Sequence, residues 1–132
     1  MNEKLFNEIQ VLLEEQPLLK MLENEKEYIL EGIYKYTLEF NGCIAQGNRK
    51  VRFIVLKNFP INVPKFYVFD YPNDMEHIYT DGSVCLATIG EMIYFLNKNA
   101  SLIAFIDKFV NSSFLKTLLK LEIHRHSEIN RE

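Results

Sequence analysis

Apolar residues at Leu5, Phe6, Ile9, Leu12 and Leu13 recur at i, i+1, i+4, i+7 and i+8, the stripe of an amphipathic helix with one face on a core. Pro17 ends that helix because it lacks a backbone donor, yet it fits the first turn of a short second segment carrying Leu18, Leu19, Met21 and Leu22. From Tyr28 the period falls to two. Tyr34, Tyr36, Leu38 and Phe40 line one face of a half-buried strand, and Lys35, Thr37 and Glu39 line the other. Asn41-Gly42 supplies the residues that accept positive φ and closes a hairpin. Gly47-Asn48 predicts another turn before Val51 to Leu56, and a loop with Pro60 and Pro64 leads to a further strand over Lys65 to Phe69.

The long period returns near the C-terminus. Leu102, Ile103, Phe105, Ile106, Phe109 and Val110 form a helical stripe with Asn99 or Ser101 as N-cap and Asn111-Ser112-Ser113 as an interruption, and Phe114 to Ile123 continue as a terminal helix. The predicted fold is α+β: an N-terminal helix, an antiparallel three- to four-stranded meander, an irregular cysteine-bearing segment and C-terminal helices covering one sheet face. The 132 residues, with 48% hydrophobic and 25% charged, fit one domain over 1–132 whose core needs no metal or disulfide.

Charge and cysteine count narrow the function classes. Fifteen Lys+Arg against eighteen Asp+Glu give −3, without the basic excess of a phosphate-backbone binder, so nucleic acid is not expected as a partner. No apolar run approaches the roughly 20 residues that span a bilayer. The N-terminus shows no basic region followed by an apolar core, so the expectation is a cytoplasmic protein. Residues 1–31 hold eight acids and three bases, a solvated helix face in the simplest reading. Two cysteines are too few for a disulfide scaffold or, alone, a zinc site; no cofactor is implied.

The irregular segment draws attention because about thirty residues, from Asp70 to Lys98, show little periodicity, and such stretches in compact domains are often functional. It holds Cys85 and His77. Asp81-Gly82 predicts a tight turn that presents Ser83-Val84-Cys85-Leu86 as a short extended ledge. Between Lys65 and Lys98 there is no Lys or Arg, whereas Asp70, Asp74, Glu76, Asp81 and Glu91 fall inside. Anions favour the neutral thiol, so the local sequence predicts a thiol suited to receiving an already activated acyl group rather than to redox or peptidase chemistry. A plain alternative stands beside each residue. Cys85 between Val84 and Leu86 also fits a buried small hydrophobe, and His77 a surface loop histidine. Cys43 reads as structural, and His124 and His126, two apart on a helix, do not share a face for a metal.

The run Phe59-Pro60-Ile61-Asn62-Val63-Pro64-Lys65-Phe66-Tyr67-Val68-Phe69, then His77, then Asp81-Gly82-Ser83-Val84-Cys85-Leu86, resembles the ubiquitin-conjugating enzyme family. The resemblance spans 28–110 and is strongest over 59–86. It implies that Cys85 accepts the C-terminus of a ubiquitin-like modifier as a thioester and hands it to an amine. It places His77 where the family has the polar residue that supports the oxyanion or organises the loop. Asn97, Asn99 and Ser101 become candidates for orienting the attacking lysine or supporting the oxyanion. The His-Pro-Asn tripeptide and any Trp are absent, which resembles the prokaryotic branch found in anti-phage operons of the CBASS type. There the implied partner is a ubiquitin-like modifier or the C-terminus of a cGAS-like nucleotidyltransferase, with an activating enzyme as a further partner. Competing readings are a non-catalytic binding module of the same fold, like the RWD domains, and a cysteine peptidase that removes modifiers. The cysteine in this segment favours the enzyme over the module, and the anionic surroundings speak against the peptidase.

Overall fold

The computed structural model describes residues 2–70 and 78–115. Helix α1 spans Glu3–Glu15 and buries Leu5, Ile9 and Leu12, the central positions of the apolar stripe. Asn2 caps it and ties it to the Phe59-Pro60 loop: its Oδ1 accepts the Leu5 N–H at 3.1 Å, and its Nδ2 donates to the Phe59 carbonyl at 2.7 Å. The helix stops at Gln16, whose side chain exchanges two hydrogen bonds with the Lys35 backbone at 2.7 and 2.8 Å and so steers the chain onto the sheet.

Four antiparallel strands follow in the spatial order of the sequence: β1 (Leu19–Glu23), β2 (Glu27–Phe40), β3 (Cys43–Leu56) and β4 (Lys65–Val68). The short second helical segment expected after Pro17 is therefore a strand. Leu19 is buried there while Leu18 and Leu22 are exposed, and the backbone pairs with β2 from Leu19↔Gly32 to Glu23↔Tyr28. Four apolar residues in five hid the period. Gly32 explains the docking: at φ +139° it lets the Leu18 carbonyl pass where a Cβ would lie 2.1 Å away.

The Asn41-Gly42 turn is as expected, with φ of 51° and 78° closing the β2–β3 hairpin. The predicted turn at Gly47-Asn48 is absent, because β3 runs unbroken through it. Gly47 serves packing instead: it faces Tyr36 across the hairpin, and a Cβ would come within 2.3 Å of the Tyr36 hydroxyl. Tyr28, Leu30, Tyr34 and Tyr36 from β2 join Val51, Phe53 and Val55 from β3 and Phe66 from β4 on the buried face, at the strand period of two.

The helices lie against that face. Helix α2 covers Ile89–Lys98, so the irregular segment ends ten residues earlier than its sequence predicts. Only Met92 and Leu96 of α2 are buried, whereas Ile89, Ile93 and Tyr94 are exposed, and this all-round apolar surface masks the helical period. Helix α3 begins at Leu102–Phe105, passes through a π-helical turn at Ile106–Val110 and stays helical to residue 115. Asn111-Ser112-Ser113 is thus helix, and the irregularity lies one turn earlier. Phe114 stacks on Tyr36 at 4.7 Å with rings 13° apart, lies 5.9 Å from Tyr34 and meets Phe66 edge-on at 5.9 Å, which fastens the helix to three places on the sheet. The buried residues of helices and sheet form one core cluster. His77, the terminal stretch with His124 and His126, and the side chain of Cys43 lie outside the described residues. Among the described residues, no helix is long and apolar enough to cross a membrane.

Candidate active site

Cys85 sits on a small hairpin laid against the end of the sheet. Ile78 forms an antiparallel bridge with Val84, the Tyr79 N–H donates to the Ser83 carbonyl at 2.9 Å, and the Gly82 N–H returns to the Tyr79 carbonyl at 2.9 Å. Gly82 takes φ +89°, which the turn needs and a side chain would resist. The hairpin is pinned to the core through Val84, which is buried and whose N–H donates to the Phe66 carbonyl of β4 at 2.7 Å. The tight turn expected at Asp81-Gly82 is present.

Asp81 organises the turn. Its Oδ1 accepts the Ser83 hydroxyl at 2.6 Å and the Ser83 N–H at 2.9 Å, and its Oδ2 takes an ion pair from Lys65 Nζ at 3.0 Å. These contacts, the Ser83 hydrogen bonds foremost, hold the Asp81 carboxyl down to about 2. The Asp81 hydrogen bond in turn raises the Lys65 ammonium above its usual range. Ser83 is buried and fully partnered. The anionic character read from the sequence is therefore partly balanced, because Asp81 is paired with the lysine at the edge of the base-free interval.

Cys85 itself is half-buried and free, with its thiol donating to the Ala87 carbonyl at 3.5 Å. Tyr79 stands diagonal to Cys85 across the hairpin, and its phenol is raised above the ordinary value, first by the Cys85 side chain and then by desolvation. Tyr79 was not singled out by the sequence pattern. The signal that could have found it is the turn: once Asp81-Gly82 fixes the hairpin, Tyr79 falls opposite Ser83 and diagonal to Cys85. Three residues after the cysteine, Thr88 caps α2 by accepting the Glu91 N–H at 3.2 Å.

The remaining predicted residues lie on the helices that follow the hairpin. Asn97 is in the last turn of α2 and Asn99 is its C-cap, with the Asn99 N–H on the Phe95 carbonyl at 2.8 Å. Eight residues of helix put Asn97 about 12 Å along the axis from Ile89. Ser101 caps α3: its Oγ accepts the Ala104 N–H at 3.1 Å and donates to Glu8 of α1, whose other oxygen accepts the Leu102 N–H at 3.1 Å. Its hydroxyl is thus committed to joining two helices. The described residues bring Tyr79, Asp81, Ser83 and Lys65 to the cysteine hairpin. No family model, curated protein or solved structure matches this chain.

Proposed function

We propose that the chain is a ubiquitin-conjugating-like acyl carrier, in which Cys85 accepts the C-terminus of a ubiquitin-like modifier or of a cGAS-like nucleotidyltransferase and passes it to an amine, in bacterial anti-phage defence. The observation that carries this reading is the position of the thiol in the fold order. A helix, a four-stranded antiparallel meander and a Phe-Pro loop precede a hairpin that presents one free, half-buried cysteine, and helices follow. That order, together with Asp81-Gly82-Ser83-Val84-Cys85-Leu86, is what the resemblance to the family requires.

The chemistry is thioester exchange. The Cys85 thiol loses its proton, its sulfur bonds to the carbonyl carbon of the incoming thioester, the old carbon–sulfur bond breaks, and the departing thiolate takes up a proton. An amine then attacks the same carbon, forming an amide and returning the Cys85 thiol. No oxidant or metal enters the balance, and the energy comes from the incoming thioester.

The test uses the full chain and a ubiquitin-like protein carrying a C-terminal thioester of a small thiol. Intact-mass analysis is expected to find one reductant-sensitive adduct that maps to Cys85 rather than Cys43 and is missing in Cys85→Ala. An adduct spread over both cysteines, or one that survives in Cys85→Ala, would overturn the reading.

A further inference from the structure

Helix α2 is apolar on two sides. Met92 and Leu96 turn into the core, while Ile89, Ile93 and Tyr94 face away from it, 58%, 44% and 62% exposed. At the helical turn of about 100° per residue, these three fall within an arc of about 140°, so they form one strip rather than scattered apolar residues. A helix that is apolar all round is ordinarily covered all round, yet this strip is open. Glu91 and Lys98 border it. Seven residues apart, they stand on one flank of the helix two turns from each other, with Lys98 Nζ laid over the Tyr94 ring at 4.6 Å. Among the described residues, neither Glu91 nor Lys98 has an ion-pair partner.

We propose that the strip on α2 is the interface with a second copy of this chain, the two α2 helices packing antiparallel about a two-fold axis. Charge selects this occupant. The helix carries its acid, Glu91, in the first turn and its base, Lys98, in the last. Antiparallel packing lays the first turn of each helix beside the last turn of the other, so Glu91 of each copy meets Lys98 of the other, and the two-fold makes that contact twice. The same axis keeps the charged flank of one copy beside the charged flank of the other, and Ile93 and Tyr94, at mid-helix, lie between the two contacts. Opposed helix dipoles favour the arrangement further, whereas a parallel pair would bring like charges together at both ends. Ten residues span only about 15 Å, which keeps the contact below the roughly 1,200 Å² of a standard interface, so the dimer is a reversible one. It needs no thiol and stands apart from the chemistry of Cys85.

The test is sedimentation velocity on the full chain, in reductant so that no disulfide links the copies and at low salt so that exposed charges are little screened. Over a range of about 5 to 500 μM the average mass is expected to rise from one chain toward two. Tyr94→Ser, at an exposed position, should abolish the rise while leaving the far-ultraviolet circular dichroism unchanged. Glu91→Lys and Lys98→Glu should each weaken association about tenfold, because each sets like charges against each other at both ends of the pair. An equimolar mixture of these two variants should recover the native association, since one then carries two bases and the other two acids. A chain that stays monomeric throughout the range would overturn the proposal and leave the strip to a different partner. So would a dimer indifferent to Tyr94→Ser, or a mixture that associates no better than either charge variant alone.

Discussion

Lys65 Nζ lies 3.0 Å from Asp81 Oδ2, so the last strand and the cysteine hairpin are joined by an ion pair as well as by the Val84–Phe66 backbone bond. The carboxylate does more for its own turn than for the lysine, because both Ser83 donors converge on its other oxygen.

Acid should therefore loosen the hairpin before it unfolds the sheet. The Asp81 carboxyl is held at about 2 in the folded chain against an ordinary 3.8, so its contribution is complete above the ordinary value and disappears as pH falls through about 2. The Ser83 amide resonance is expected to titrate with a midpoint near 2, and Asp81→Asn is expected to abolish that transition. A Ser83 midpoint near 4 would contradict the turn geometry.

Alkali should act through a different residue. Burial, then the Asp107 charge, push the Tyr34 phenol up to about 12, and its hydroxyl donates to Asn111 Oδ1 at 2.9 Å. Stability linked to this proton is present below pH 10 and is lost as pH rises toward 12, by about 2–3 kcal/mol for a shift of two units. Urea unfolding at pH 9 and 11.5 should show that loss. Tyr34→Phe should flatten it, at a cost of about 1 kcal/mol near neutrality for the unpaired Asn111 oxygen.

Two glycines predict opposite signs. Gly32→Ala forces a Cβ to 2.1 Å from the Leu18 carbonyl at a backbone angle that resists side chains, and should cost about 2–4 kcal/mol. Gly90→Ala in the first turn of α2 meets nothing within 4 Å and should gain up to about 0.5–1 kcal/mol. Thermal melts of the two variants check both.

The α1–α3 joint separates a structural serine from a mechanistic one. Glu8→Ala and Ser101→Ala should each destabilise by about 1–2 kcal/mol and be strongly non-additive in a double-mutant cycle, because they share one hydrogen bond. Aminolysis of a loaded Cys85 thioester should be unchanged in Ser101→Ala. His77→Ala should load normally and discharge slowly to amines; equal discharge would remove His77 from the mechanism.

The strands and helices with a clean period were legible from their residues. Leu5, Ile9 and Leu12 announced α1, and the Tyr34–Phe40 alternation with Asn41-Gly42 announced the central hairpin. Where a segment is apolar on every side, the period vanishes: Leu18-Leu19-Lys20-Met21-Leu22 reads equally as helix, and Ile89 to Leu96 reads as irregular. Gly47 misled for another reason, since a glycine needed to admit the Tyr36 ring looks the same in sequence as one that turns the chain. At the site, Cys85 and the Asp81-Gly82 turn were visible locally. Lys65 and Tyr79 required the hairpin to be folded onto β4, which brings Asp81 to a base sixteen residues away.

By donating its Val84 N–H to β4, the cysteine hairpin also occupies one margin of the sheet. An open margin is a template on which a second chain can add a strand, and covering it suppresses such assembly. Loss of the Asp81 turn should therefore reach beyond the thiol and let copies of the chain add to one another along β4.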